Sequence, residues 1–209
     1  MITIVAIGDS TTAGTPGFKS PIEAPPDGIG DETSQYAYWL MQMHPDWCVL
    51  NRGVNGERSD QIRARFARDV VAERARHRAE PFIAIVIAGV NDIYQGRTAA
   101  SVQRELEAMY RAARDAGIPT VAGSIIPYNT ATPEQNARMH AVNAWIRDYA
   151  SGRDGIAFCD TRAAVSAPDD PDRLAASDDD LHPSADGYRL MALALEPPVS
   201  ALAARMLSR

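Results

Sequence analysis

At 209 residues, with 45% hydrophobic and 23% charged side chains, the chain is long enough for one domain with a substantial core and has the make-up of an ordinary globule. Its formal net charge of −6 argues against a nucleic-acid partner, because phosphate backbones select basic surfaces. Only Cys48 and Cys159 are present, each in a short apolar run, which reads as two small core residues rather than a disulfide or a metal pair.

Ile2 to Ile7 is an apolar, β-branched run halted by Gly8, and it reads as a buried strand with Ser10 just past its C-terminal end. In an open α/β sheet ligands bind at that edge, although on these residues alone Ser10 is equally a turn cap. A strand from residue 2 leaves no room for a secretory signal, and no window approaches the roughly 18 unbroken apolar residues of a membrane span. A cytoplasmic location without a membrane span is therefore the expectation. Thr15 to Glu32 is punctuated by Pro16, Pro21, Pro25, Pro26, Gly17, Gly28 and Gly30, which predicts a long irregular loop at the rim of a functional site. Thr33 or Ser34 then caps a helix carrying Tyr36, Trp39, Leu40 and Met43, ended by Pro45. Trp47 to Leu50 is a second strand leading into Asn51-Arg52-Gly53.

Ser59 to His77 has Ile62, Phe66, Val70 and Val71 at helical spacing, and the seven arginines between Arg58 and Arg78 read as its solvated face. Phe82 to Ala88 is apolar throughout, as a central strand would be, and ends in Gly89-Val90-Asn91-Asp92. Thr98 to Ala116 is a helix with Val102, Leu106, Met109 and Tyr110 inward and Gly117 placed to end it in a left-handed conformation. Pro119 to Ile126 gives a fourth strand running out at Pro127-Tyr128. Thr132 and Gln135 form a capping box, with Pro133 in the first turn, ahead of a helix burying Met139, Val142, Ile146 and Tyr149. Ile156 to Cys159 is a short fifth strand, and Asp160 to Asp180 a polar, acidic loop. Ser184 starts a last helix that Pro197 and Pro198 break or kink near Leu195.

Five strands alternating with helices predict an α/β fold, a parallel sheet covered on both faces with right-handed crossovers. A flavodoxin-like order, 2-1-3-4-5, would place Cys48 and Cys159 on opposite edges, beyond disulfide reach. That topology brings Ser10, Gly53, Asn91 and the Asp178–Pro183 loop to one rim. A serine hydroxyl is a poor nucleophile until a base takes its proton, and His182 is of the right type. Asp179, three residues earlier, can fold back onto the imidazole Nδ1. The Ser10 N–H, the Gly53 N–H and the Asn91 amide are candidate donors to an oxyanion. Asp92, Tyr94, Pro127 and Tyr128 are candidate pocket walls. The plainer readings remain open: Asn91 as a turn cap, Gly53 as strain relief, His182 as a helix-entry residue. His44, His77 and His140 read as structural or surface residues, and Asp9 as a carboxylate bonding nearby N–H groups.

GDSTTAG with Ser10, Gly53 in NRGVNGE, Asn91 in GVND and His182 in DDLHPSADGY resemble, in order, the four blocks of the SGNH, or GDSL-like, hydrolases. The resemblance runs from residue 1 to about residue 195, and no G-x-S-x-G elbow surrounds Ser10, which disfavours an α/β-hydrolase fold. It implies a three-layer α/β/α sandwich, one domain over 1–209, and a Ser–His–Asp esterase needing no metal or organic cofactor. Ser10 is then the nucleophile, His182 the base and Asp179 its orienter, with Ser10, Gly53 and Asn91 as the oxyanion hole. The expected partner is a small-molecule ester, with short acyl chains favoured because no long apolar tunnel is evident, and with the 15–33 loop setting the alcohol side. An acetyl-sugar deacetylase, a thioesterase, a transacylase or a silent carbohydrate-binding module would share these residues.

Overall fold

The computed structural model describes residues 1–208. Five parallel strands form the sheet: β1 (Ile2–Gly8), β2 (Trp47–Gly53), β3 (Phe82–Ile87), β4 (Thr120–Gly123) and β5 (Ile156–Cys159). Their spatial order is β2-β1-β3-β4-β5, the doubly wound order that the sequence predicts. Both faces are covered, so β1 and β3 are buried throughout rather than alternating. Ile4, Ala6, Ile83 and Ile85 pack under α1 (Tyr36–Met43) and α5 (Ala185–Leu207). Val5, Ile7, Ala84 and Val86 face α2 (residues 59–76), α3 (Ala99–Asp115) and α4 (Pro133–Ala150) on the other side. Helix α2 runs Ser59–Phe66, passes through a π turn at Ala67–Val71 and resumes over Ala72–Arg76. The arrangement is a three-layer α/β/α sandwich.

Local signals hold where they are strongest. Thr132 accepts from Gln135 N while Gln135 Oε1 accepts from Thr132 N, and Gly117 ends the α3 region at φ +67°. Tertiary contacts override them elsewhere. Asp31, rather than Thr33 or Ser34, caps the turn Glu32–Ser34 ahead of α1. The fourth strand stops at Gly123 because Asn143 of α4 takes both the N–H and the carbonyl of Ile125, drawing that segment off the ladder. The 160–180 segment is not a plain loop: it holds the helical turn Thr161–Val165 and a hairpin of Ser166–Ala167 with Asp170–Leu174.

The largest departure is α5, which continues unbroken through Pro197 and Pro198. Each proline lacks the N–H that would reach back four residues. The carbonyl freed at Ala194 instead accepts from Cys159 Sγ at 3.2 Å, and the other freed carbonyl belongs to Leu193, an exposed residue. At 23 residues α5 is long and apolar enough to cross a membrane by length and composition, but Tyr188, Met191, Ala192, Leu195, Val199 and Leu202 are buried in the core. Among the seven arginines near α2, Arg65 departs from the expected solvated face and is buried, 8% exposed.

Candidate active site

Ser10 opens a four-residue helix, Ser10–Ala13, at the C-terminal end of β1. Asp9 caps it by accepting the Thr11 N–H at 3.0 Å, and Gly14 closes it at φ +105°. As the first residue of the turn, Ser10 has a backbone N–H with no intrahelical acceptor. Across the rim, the loop before α5 carries Asp179 and His182. Asp179 Oδ1 accepts the backbone N–H groups of Leu181 (3.0 Å) and His182 (2.8 Å), which folds the loop into a tight turn. Asp180 adopts φ +62°, tolerable for Asp, and is pinned by Asn129, which donates its backbone N–H to the Asp180 carbonyl and its amide to Oδ1.

This turn completes a continuous line. His182 Nδ1 lies 2.7 Å from Asp179 Oδ2, and His182 Nε2 lies 2.9 Å from Ser10 Oγ. Burial disfavours the Asp179 charge, but the His182 imidazole and the Leu181 and His182 N–H groups outweigh it and hold the carboxyl at about 2. An ionised carboxylate can only accept, so Nδ1 carries the imidazole proton and Nε2 is left to accept the Ser10 hydroxyl proton.

A cleft of about 180 Å³ opens beside this line, walled by Ser10, Thr11, Asn55, Val90, Asn91, Tyr94, Tyr128, Leu181 and His182. Asn91 follows β3 at the start of the short helix Val90–Tyr94, and its Nδ2 donates to the Glu57 carbonyl at 2.9 Å. Tyr94 and Tyr128 meet edge-on at 5.9 Å and close one side.

Four sequence-predicted assignments are corrected. Gly53 is buried outside the cleft, its N–H donates to Asn51 Oδ1 at 2.9 Å, and a Cβ there would strike the Ala13 backbone, so it has no free donor to offer. The second glycine of NRGVNGE differs: Gly56, at φ +75°, directly follows the cleft-lining Asn55, and among the described residues its N–H has no protein acceptor. The Asn-Gly dipeptide, a turn signal, was the clue. Asp92 is no wall either. Fully buried, it caps α2 by accepting the Ser59 N–H (2.7 Å) and hydroxyl (2.9 Å), with Arg97 Nη1 at 2.9 Å. Pro127 is buried and lies outside the cleft lining, unlike its neighbour Tyr128. Finally, no residue of the 15–33 loop lines the cleft. That loop pairs Phe18–Lys19 with Ile29–Gly30, is tied down by Ser20 Oγ on the Gly53 carbonyl, and reaches the rim through Glu23, which accepts the Asn55 N–H.

His44 pairs with Glu196, His77 with Glu73 and His140 with Asp172, all away from the cleft, and Asp9 binds the Thr11 N–H as expected. Among the described residues no group of His, Cys, Asp and Glu is arranged to hold a metal ion.

The family model for GDSL-like lipases and acylhydrolases matches residues 6–190. The chain belongs to this family. It is accordingly an enzyme of the esterase and acylhydrolase class. Solved structures similar to this GDSL hydrolase include a member of the lipolytic G-D-S-L family from Veillonella parvula, 20% identical over 94% of this chain and 98% of that one, with TM-score 0.73. A mutant of Axe2, an acetyl-xylooligosaccharide esterase from Geobacillus stearmophilus, is 19% identical over 95% and 94% of the two chains, with TM-score 0.70. The psychrotrophic esterase EstA from Pseudoalteromonas sp., solved inhibited by monoethylphosphonate, is 16% identical over 96% and 98%, with TM-score 0.67. At such identities these structures speak for the fold. No curated protein matches the chain.

Proposed function

We propose that this GDSL hydrolase is a serine esterase that cleaves short-chain carboxylic esters through an acyl-enzyme on Ser10. The unbroken line Asp179–His182–Ser10 carries this reading. Ser10 Oγ attacks the ester carbonyl carbon while His182 Nε2 takes its proton, and Asp179 stabilises the imidazolium. The oxyanion is held by the Ser10 N–H, the second Asn91 amide hydrogen and the Gly56 N–H. Collapse expels the alcohol, protonated by His182. Water, deprotonated by the same imidazole, then attacks the acyl-enzyme and releases the acid.

The short acyl preference rests on the size of the cleft. Its 180 Å³ falls below the roughly 300–1000 Å³ of sites that enclose larger ligands, and Val90, Tyr94, Tyr128 and Leu181 crowd it. With p-nitrophenyl esters from acetyl to octanoyl, kcat/KM is expected to peak between acetyl and butyryl and to fall by about tenfold or more at octanoyl. A profile rising toward octanoyl refutes the short-chain reading. Folded protein that turns over none of the series refutes the esterase.

A further inference from the structure

Arg65 alone of the seven arginines near α2 is buried, and each end of its guanidinium has a fixed partner. Nη2 donates to the Gly8 carbonyl at 2.9 Å, the last peptide of β1 and two residues before Ser10. Nε donates to Glu57 Oε2 at 2.7 Å, and Nη1 to Asp69 Oδ2 at 2.9 Å. Glu57 is in turn the residue whose backbone carbonyl accepts the Asn91 amide at 2.9 Å. Gly8 O also accepts the Val54 N–H at 3.1 Å, from the start of the turn that carries Asn55 and Gly56.

From this geometry we infer that Arg65 is a positioning residue, setting the spacing between the nucleophile and the oxyanion donors of the proposed esterase, on which reading this inference rests. The guanidinium is planar and rigid, so partners on its separate nitrogens are held at set separations, which a flexible ammonium cannot do. One side chain thus links the strand end that presents Ser10 to the turn that aims Asn91. A purely structural role would show as lost stability, because removing one partner leaves the buried Asp69 and part-buried Glu57 carboxylates uncompensated, and not as a lower kcat per folded site. The cluster is built to stay charged: although burial works against it, hydrogen bonds from Arg68 and Arg65 keep the Asp69 carboxyl below its ordinary range.

The test uses Arg65→Met and Arg65→Lys, alone and combined with Asn91→Ala, assayed on p-nitrophenyl acetate well below each variant's Tm, with active sites counted by a fluorophosphonate burst. Arg65→Met should lower kcat per titrated site by about 10- to 100-fold while KM moves less than about twofold, and Arg65→Lys should recover part of the loss. In the Asn91→Ala background the same substitution should cost less, because one group it positions is already gone. A kcat per site within about twofold of wild type, or an undiminished cost in the Asn91→Ala background, overturns the inference. Should Arg65→Met fail to fold, Glu57→Gln keeps the backbone carbonyl while weakening the Arg65 contact, and an unchanged kcat there overturns it too. A wild-type protein inactive on every ester sinks the proposed function itself, whereas an active wild type with an indifferent Arg65→Met sinks only this inference.

Discussion

The side-chain amide of Asn91 donates to the Glu57 carbonyl at 2.9 Å, so one of its hydrogens is fixed to the protein and the other is left for the cleft that Asn91 lines. Asn91→Ala should therefore lower kcat by about 100- to 1000-fold, the usual loss for one oxyanion donor, with little change in KM. Steady-state kinetics on p-nitrophenyl acetate decide this. A change confined to KM would remove Asn91 from the oxyanion hole.

Three consecutive aspartates precede His182, and the structure separates them. Asp179 faces the imidazole, Asp180 is turned to Asn129, and Asp178 is exposed. Asp179→Asn should cost about 10 000-fold in kcat by favouring the wrong imidazole tautomer, while Asn at 178 or 180 should cost less than about threefold. Equal small losses at all three would contradict the assignment. The folded Asp179 value of about 2 lies below that of the unfolded chain, so its contribution to stability is present above about pH 4 and is lost as pH falls toward 2.

Asp9 behaves in the opposite sense. Burial pushes its carboxyl up to about 7, and its Oδ2 has no hydrogen-bond partner. Between about pH 4 and 7 the unfolded chain has released this proton and the folded chain keeps it, so stability declines across that window. Asp9→Asn retains an oxygen for the Thr11 N–H and should abolish that part of the decline. Urea midpoints at pH 5 and pH 8 are the measurement, and an undiminished decline in the variant would contradict the account.

Cys159 donates to the carbonyl that Pro198 leaves free in α5, and burial pushes its thiol up to about 12. It should resist thiol reagents at pH 8 in the folded protein while the half-buried Cys48 reacts first. Cys159→Ala should destabilise by about 1–3 kcal/mol through the unsatisfied carbonyl, read as a lowered urea midpoint. An unchanged midpoint would show that the carbonyl finds another partner.

Much of this molecule was legible in the sequence because the deciding forces were local. Short apolar runs bounded by Gly, Pro and polar turns marked all five strands, and the convergence of Ser10, Asn91, Asp179 and His182 follows once those strands are parallel and in the flavodoxin-like order. Features decided by distant partners were not legible. Nothing in the spacing of the arginines separates Arg65 from its solvated neighbours; only the Gly8 carbonyl, Glu57 and Asp69 do so. Asp92 looked like a cleft residue because it follows Asn91, yet it turns away to cap a helix 33 residues upstream. Two prolines in α5 read as a break because the thiol of Cys159 lies 35 residues from the carbonyl it satisfies. Gly53 and Gly56 are three apart, and only the buried Asn51 side chain shows which N–H is already taken.

Phosphonylation of Ser10 tests the esterase account most directly. Folded protein treated with a fluorophosphonate and digested for mass spectrometry should carry one adduct, on Ser10, which is lost in Ser10→Ala and strongly slowed in His182→Ala. Folded protein without an adduct, or with the adduct on another residue, would contradict it.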